Sequence, residues 1–257
     1  MICSLGCGVD DGTDAREALM QAFTRFGDTP IEDDSGAYFY SVVDAGEGQA
    51  VVNEDYVVVA WRAFDINANV LQTTGEFPAV GAISSFNAID NTNMRRIGRG
   101  GTVRIYIPAV PGQAPENAQI YELTINEVYD DVNDYNDQVI QEYLSAQNLV
   151  AERTDQGLYY IIDQEGDGDF PQSQSVVSVR YEGYFLNGDV FDSSRGETIT
   201  FSLQQVIQGW TLGIPLFNEG GGGTLLLPST LAYGNAGTNG IPPNYPIAFD
   251  VELVSIE

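Results

Sequence analysis

Slid against itself by 120 residues, this 257-residue chain matches itself. Leu19, Met20 and Phe23 fall on Val139, Ile140 and Tyr143, and Gly46-Glu47-Gly48 falls on Gly166-Asp167-Gly168. Asn67, Val70, Thr73 and Thr74 fall on Asn187, Val190, Ser193 and Ser194. Gly100-Gly101 meets Gly220-Gly221, and Ile107-Pro108 meets Leu227-Pro228. The register stays close to ungapped from a helical stretch to that proline, so one unit is written twice. Two copies make a tandem pair of domains, not a solenoid, and each is long enough to bury a core.

Each copy opens on a helix. In the second, Val139, Ile140, Tyr143 and Leu144 recur at helical spacing, with Asn133 or Asp134 as N-cap and Asn148 near the C-terminus. That stripe has three candidate partners: its own domain, the other domain, or a second chain. After each helix the text changes to short alternating runs broken by Gly, Pro, Asn and Asp. Residues 158–162, 176–184, 198–203, 224–227 and 247–256 read as strands, and 206–212 as a short helix. The pattern predicts an α+β fold in which an antiparallel sheet wraps on one short helix. The expected organisation is a tail over 1–12, a first domain over 13–130, a linker helix over 131–153 and a second domain over 154–257.

Charge prunes the functions open to such a chain. There are 37 acidic residues against 10 basic ones, all of them Arg, and the net charge is −27. That field repels phosphate backbones, so nucleic acid is excluded as a partner. Acid spread along the whole chain reads as a solvated surface suited to high salt. A halophilic or marine source accounts for it; an ordinary acidic secreted protein is the alternative. With no His and no Lys there is no Ser-His-Asp triad, no His-based metal site and no Schiff-base lysine. No metal and no cofactor is expected. The run from Glu165 to Asp169 has a faint likeness to a calcium loop, but the matching Gly46-Glu47-Gly48 favours a turn. Both cysteines, Cys3 and Cys7, lie at the N-terminus, so no disulfide holds the fold. The stretch from Ser4 to Gly8 looks like the end of a bacterial lipoprotein signal. That makes Cys7 a candidate lipid anchor and the cell envelope a candidate address, against a structureless tail with two incidental thiols.

The last third of the chain carries a second kind of signal. It runs from Val177 to Gly183, then Asn187-Gly188 and Val190-Phe191-Asp192-Ser193-Ser194. Val206-Ile207-Gln208-Gly209-Trp210 follows, then Leu231-Ala232-Tyr233-Gly234, Gly240-Ile241-Pro242-Pro243-Asn244 and Phe249 to Leu253. In this order and spacing the segments resemble the FKBP-type peptidyl-prolyl isomerases. The resemblance implies two tandem domains of that fold, the second intact. It also implies the reaction. An X–Pro bond turns slowly because its amide loses resonance at the perpendicular geometry, a barrier of about 18–20 kcal/mol. No bond is made or broken, so the reaction needs only a pocket that holds the twisted amide better than the planar one. By resemblance, Trp210 forms the floor under the proline ring, with Tyr181, Phe191, Val206, Ile207 and Phe249 as walls. Ile199 stands at a further pocket position, where family members carry an aromatic or Val. Tyr233 and Ile241 come from an overhanging loop, Tyr233 donating its hydroxyl to the substrate carbonyl. Asp192 orients the pocket or polarises the amide. Clients would be unfolded or partly folded exported polypeptides, and macrolides such as tacrolimus would occupy the same cup. A different reading is a peptide-binding chaperone module in which turnover is incidental.

The first copy contrasts at these positions. Subtracting 120 puts Trp61 at Tyr181, Leu71 at Phe191, Gln72 at Asp192 and Asp90 at Trp210. The stretch from Pro108 to Tyr121 is eight residues shorter than that from Pro228 to Phe249, so Tyr233 and Ile241 have no counterpart. Core positions such as Val58, Ile105, Leu123 and Ile125 stay apolar. This copy reads as one that keeps the fold and lacks the activity, with client holding, domain geometry or dimerisation as its open roles.

Overall fold

A computed structural model describes residues 13–257 apart from 76, 111, 112 and 239. The candidate anchor Cys7 and the tail around it lie outside the described residues. The chain divides into two compact units, residues 1–128 and Tyr129–Glu257.

The first unit begins with α1 (Thr13–Phe26) and strands β1 (Ile31–Glu32), β2 (Phe39–Asp44), β3 (Tyr56–Phe64), β4 (Val70–Thr73) and β5 (Ala79–Ala82). Helix α2 (Ala88–Met94), β6 (Thr102–Ile107) and β7 (Gln119–Tyr129) complete it. The strands form one sheet in the order β1-β2-β6-β7-β3-β4, with β5 also on β3. Two cores lie on opposite faces, because successive side chains along a strand alternate. Leu19 and Ala22 of α1 pack with Tyr106, Phe64 and Ile120, while Met94 of α2 packs with Val103, Ile105, Leu123 and Ile125.

The second unit repeats this plan. Helix α3 (Val132–Gln147) precedes β8 (Glu152–Arg153), β9 (Tyr159–Gln164), β10 (Val176–Phe185), β11 (Val190–Ser193) and β12 (Ile199–Ser202). Helix α4 (Gln208–Gly213), β13 (Gly222–Leu227) and β14 (Ile247–Ile256) follow. The order β11-β10-β14-β13-β9-β8, with β12 on β10, is that of the first sheet read from its other edge.

Register shows how close the repeat is. Arg62 pairs Thr73 and Ala63 pairs Gln72, as Glu182 pairs Ser193 and Gly183 pairs Asp192. A bulge follows at the same place in both, between Ala63 and Phe64 and between Gly183 and Tyr184. Val59 faces Ala79 as Val179 faces Ile199. Past the proline the offset grows: Thr102 pairs Thr124, whereas Gly222 pairs Glu252. The second copy's extra loop residues therefore sit between β13 and β14.

The apolar stripe of α3 meets its own sheet. Ile140 and Leu144 are buried with Tyr159, Leu226 and Ala248, and Tyr143 flanks them. The N-cap is neither Asn133 nor Asp134. Asp131 takes that place, its Oδ1 accepting from Asn133 N at 2.6 Å and Asp134 N at 3.1 Å. A carboxylate two residues earlier reaches both free amides and carries the charge that the helix start favours. The C-terminus closes at Asn148 in left-handed backbone, φ 55. The remaining expected helix runs over Gln208–Gly213, two residues later at its start than the sequence pattern suggests.

Candidate functional site

On the face of the second sheet opposite α3, a short helix lies against the strands because two glycines let it. A methyl on Gly209 would fall 2.5 Å from Leu227 Cδ1, and one on Gly213 would fall 2.7 Å from Leu225 Cδ1. Gly209 thus seats α4 so that the next residue, Trp210, is aimed into the sheet and left 4% exposed.

Aromatic rings close around that indole edge-on. Tyr181 lies 5.1 Å from it at 81°, Phe249 5.3 Å at 83° and Phe201 5.5 Å at 89°. Phe191 stands behind Phe249 at 5.6 Å and 89°, and Phe185 lies 5.2 Å from Phe191. Such edge-to-face pairs are the favoured arrangement for quadrupolar rings and hold their geometry beyond simple burial. Gly183 is needed where two of the rings converge, since a methyl there would fall 2.6 Å from Phe249 and 2.9 Å from Phe191. The indole Nε1–H is buried and has no described hydrogen-bond partner.

The polar side of the cup is spare. The Tyr181 hydroxyl donates to Asp192 Oδ2 at 2.8 Å, and Asp192 is exposed. Burial, then this bond to a carboxylate, pushes the Tyr181 hydroxyl up to about 12. Burial and the Asp192 charge also raise Tyr233 above the ordinary phenol. Tyr233 is half-buried, and its hydroxyl has no described partner.

Of the residues singled out in the sequence, Tyr181, Phe191, Trp210 and Phe249 form one ring cluster, with Asp192 tied to it and Tyr233 within electrostatic reach. Val206 and Ile207 are half-buried just before α4, and Ile241 is buried in the β13–β14 connection. On β12 the ring that reaches Trp210 belongs to Phe201; Ile199 lies two residues earlier on the same face. The alternation of Ile199, Phe201 and Leu203 with Thr200 and Ser202 carried that signal.

Asn136 is the other residue the sequence did not announce. Wholly buried on α3, it donates through Nδ2 to the carbonyl of Asn244 at 2.9 Å and accepts from Ser229 N at 2.5 Å. Ser229 and Asn244 are the two ends of the connection that carries Tyr233 and Ile241. Between them, Thr238 and Ile241 exchange backbone hydrogen bonds at 2.9 and 3.0 Å, and Asn244 N returns to Gly234 O at 2.8 Å. A polar residue on the buried stripe of α3, four before Ile140, was its only trace in the sequence.

A separate groove of about 580 Å³ lies beyond Tyr181, over Gly221–Gly223, lined by Asp163, Arg180, Glu182, Asp250 and Glu252. Its lining includes charged side chains of both signs together with Tyr181. The first unit keeps the backbone of the cup and changes its chemistry. Where Phe249 edges Trp210, the Tyr121 hydroxyl donates to Asp90 Oδ1 at 2.9 Å. Leu71, at the Phe191 position, is 67% exposed.

The model of the FKBP-type peptidyl-prolyl cis-trans isomerase family matches residues 168–254. The chain is similar to the FKBP-type peptidyl-prolyl cis-trans isomerase FkpA of Aeromonas hydrophila, 41% identical over 145 residues, covering 55% of this chain and 54% of that protein. It is 44% identical over 103 residues to FkpA of Escherichia coli K12, covering 39% of this chain and 38% of that one. The crystal structure of FkpA from Escherichia coli aligns with a TM-score of 0.45 at 36% identity, covering 49% of this chain and 61% of that one. The chain thus spans about half or less of the length of these curated relatives. The family match falls within the second unit, which holds the aromatic cup, and there the chain is similar to the FKBP-type peptidyl-prolyl cis-trans isomerases.

Proposed function

We propose that the second unit catalyses cis–trans isomerisation of X–Pro bonds in unfolded or partly folded exported polypeptides, acting in the periplasm or cell envelope. The observation that carries this is the buried indole of Trp210, walled edge-on by Tyr181, Phe201 and Phe249. A proline ring seated on that floor leaves water, and a desolvated planar amide is disfavoured relative to the twisted one, which has lost its resonance. The Tyr233 hydroxyl is free to donate to a substrate carbonyl. Asp192 holds Tyr181 from the lip and places a negative charge beside the turning bond. No proton needs to move, so a cup whose phenols all resist ionisation suits the chemistry. Macrolides such as tacrolimus would compete for the same floor. The first unit, with Asp90 as floor, Leu71 turned outward and no overhanging loop, is assigned a non-catalytic role.

The test is cis-to-trans relaxation of a Leu-Pro peptide at low and molar salt, with the whole chain, with residues 129–257 and with Trp210→Ala. Turnover in the first two and its loss in a variant shown by circular dichroism to be folded would support the assignment. Folded protein without turnover at either salt would leave the peptide-binding module as the better reading.

A further inference from the structure

The lip of the cup carries one charge without a counter-charge. Asp192 is exposed, and its Oδ2 takes the Tyr181 hydroxyl while its Oδ1 has no described partner. The ion pairs among the described residues engage Arg16, Arg62, Arg99, Arg104, Arg153 and Arg180, each with another carboxylate. The arginine next in sequence, Arg195, is exposed in left-handed backbone, φ 53, and forms no described pair. With neither Lys nor His in the chain, arginines are its only cationic side chains, and among the described residues none is paired with Asp192. The corresponding position in the first unit is Gln72, so the charge belongs to the intact cup alone.

We propose that Asp192 makes this cup selective for prolines flanked by a lysine or arginine. This rests on the isomerase reading and adds to it the chemical class of client. Three features support it. The bond from Tyr181 fixes the carboxylate's orientation, so little side-chain freedom is left to lose when a cation arrives. The aromatic wall excludes water on one side of the pair, which strengthens attraction relative to an open surface. The net charge of −27 draws cationic segments toward the molecule and repels acidic ones. An exposed pair changes an equilibrium by roughly 1.4- to 5-fold, and a like-charge contact opposes it by a similar factor, so a Lys peptide should exceed a Glu peptide by about tenfold.

The experiment compares kcat/KM for peptides with Lys, Leu or Glu before the proline, and with Lys or Glu after it, at low and molar salt. Asp192→Asn and Asp155→Asn are run beside the native chain, the latter removing one charge from an exposed turn away from the cup. Expected are a Lys-over-Glu ratio near ten at one flank at low salt and a fall of severalfold in that ratio at molar salt. The ratio should approach one in Asp192→Asn and stay unchanged in Asp155→Asn. A native ratio near one at both flanks overturns the proposal, as does equal loss in both variants, which would assign the preference to overall charge. The Leu peptide separates the two readings: if it is not turned over, the isomerase assignment fails. The same ratios read from calorimetric Kd values then still decide the role of Asp192.

Discussion

Trp210 and Asp90 occupy one backbone position in two chemistries, and the helix start explains the exchange. In the first unit Asn87 caps α2, its side chain accepting from Ile89 N and Asp90 N at 3.1 Å each and donating to Asp90 Oδ2 at 2.7 Å. An acid at the third helical position with a polar cap is a locally stable beginning. In the second unit the cap position is Ile207, which offers no side-chain hydrogen bond. That choice forgoes about 1 kcal/mol of capping and places two apolar residues where a proline ring would need them. Asp90 is held partly out of water, which raises its carboxyl above the usual range, while the Tyr121 hydroxyl pulls the other way. Tyr121→Phe removes a hydrogen bond to a charged group from a site partly open to water, and should cost the first unit about 1–2 kcal/mol at pH 7. The sign with pH follows. The bond favours the ionised form, so its loss raises the Asp90 carboxyl further, and the deficit is full above the folded value. It shrinks as pH falls and Asp90 protonates. Thermal melts of both proteins at pH 7 and 4.5 measure this, and a deficit equal at the two pH values would contradict it.

At the scale of elements, α3 belongs to the site it precedes. Its first turns carry Asn136, which ties the Ser229 and Asn244 ends of the overhanging connection, and Thr230 Oγ1 lies 3.4 Å from Asn133 Oδ1. Asn136→Ala removes two hydrogen bonds from a buried site and takes from the Ser229 amide its described acceptor, a penalty of about 1–3 kcal/mol. The Trp210 floor stays in place while the loop bearing Tyr233 loosens. Since positioning errors of about 1 Å can slow a reaction up to a hundredfold, kcat/KM for a Leu-Pro peptide should fall by about tenfold in a folded variant. Faster amide exchange over residues 229–244 should accompany the loss. Unchanged turnover with unchanged exchange would reduce α3 to a connector. This role was not legible in the sequence, because periodicity finds the buried stripe but not what a single polar residue on it touches. Strands β4 and β11 escaped for a related reason. In Val70 to Thr73 and in Val190 to Ser193 two adjacent apolar residues are followed by two polar ones, so neither run shows in its sequence the apolar–polar alternation that marks a strand. The repeat was legible from spacing, because the 120-residue self-match carries over into registers that cannot shift by one without facing the wrong side; the cup residues were named through the family resemblance.

In the whole molecule, one set of registers supports two interiors that settle their polar groups differently. Beneath α1, Arg104 lies between Asp28, at 2.5 Å, and Glu122, with only 10% of its own side chain and 4% of that of Glu122 exposed. Arg62 reaches Glu122 from outside at 2.5 Å. At the matching strand positions the second unit has Thr224 and Asp250, joined at 2.8 Å, with the Tyr184 hydroxyl on the same oxygen at 3.0 Å. Three buried charges are replaced by one carboxylate at the edge of the covered face. A buried ion pair adds little net stability when whole, because desolvation offsets attraction, but losing one partner strands the other. Arg104→Leu should therefore destabilise the first unit by about 3–5 kcal/mol, since it takes from Asp28 and Glu122 the buried cation they share and leaves only Arg62, on the outer side of Glu122. For a domain of this size that lowers its melting temperature by roughly 10–20 °C. Each unit has its own cores, so calorimetry should show one transition moving down and the other staying, with prolyl turnover surviving the first. Molar salt should leave the native cluster nearly untouched, because buried charges are screened far less than surface ones. If both transitions moved together, the two cores would be one cooperative system, and the first unit would serve as a stabilising partner of the cup, not an independently folded companion.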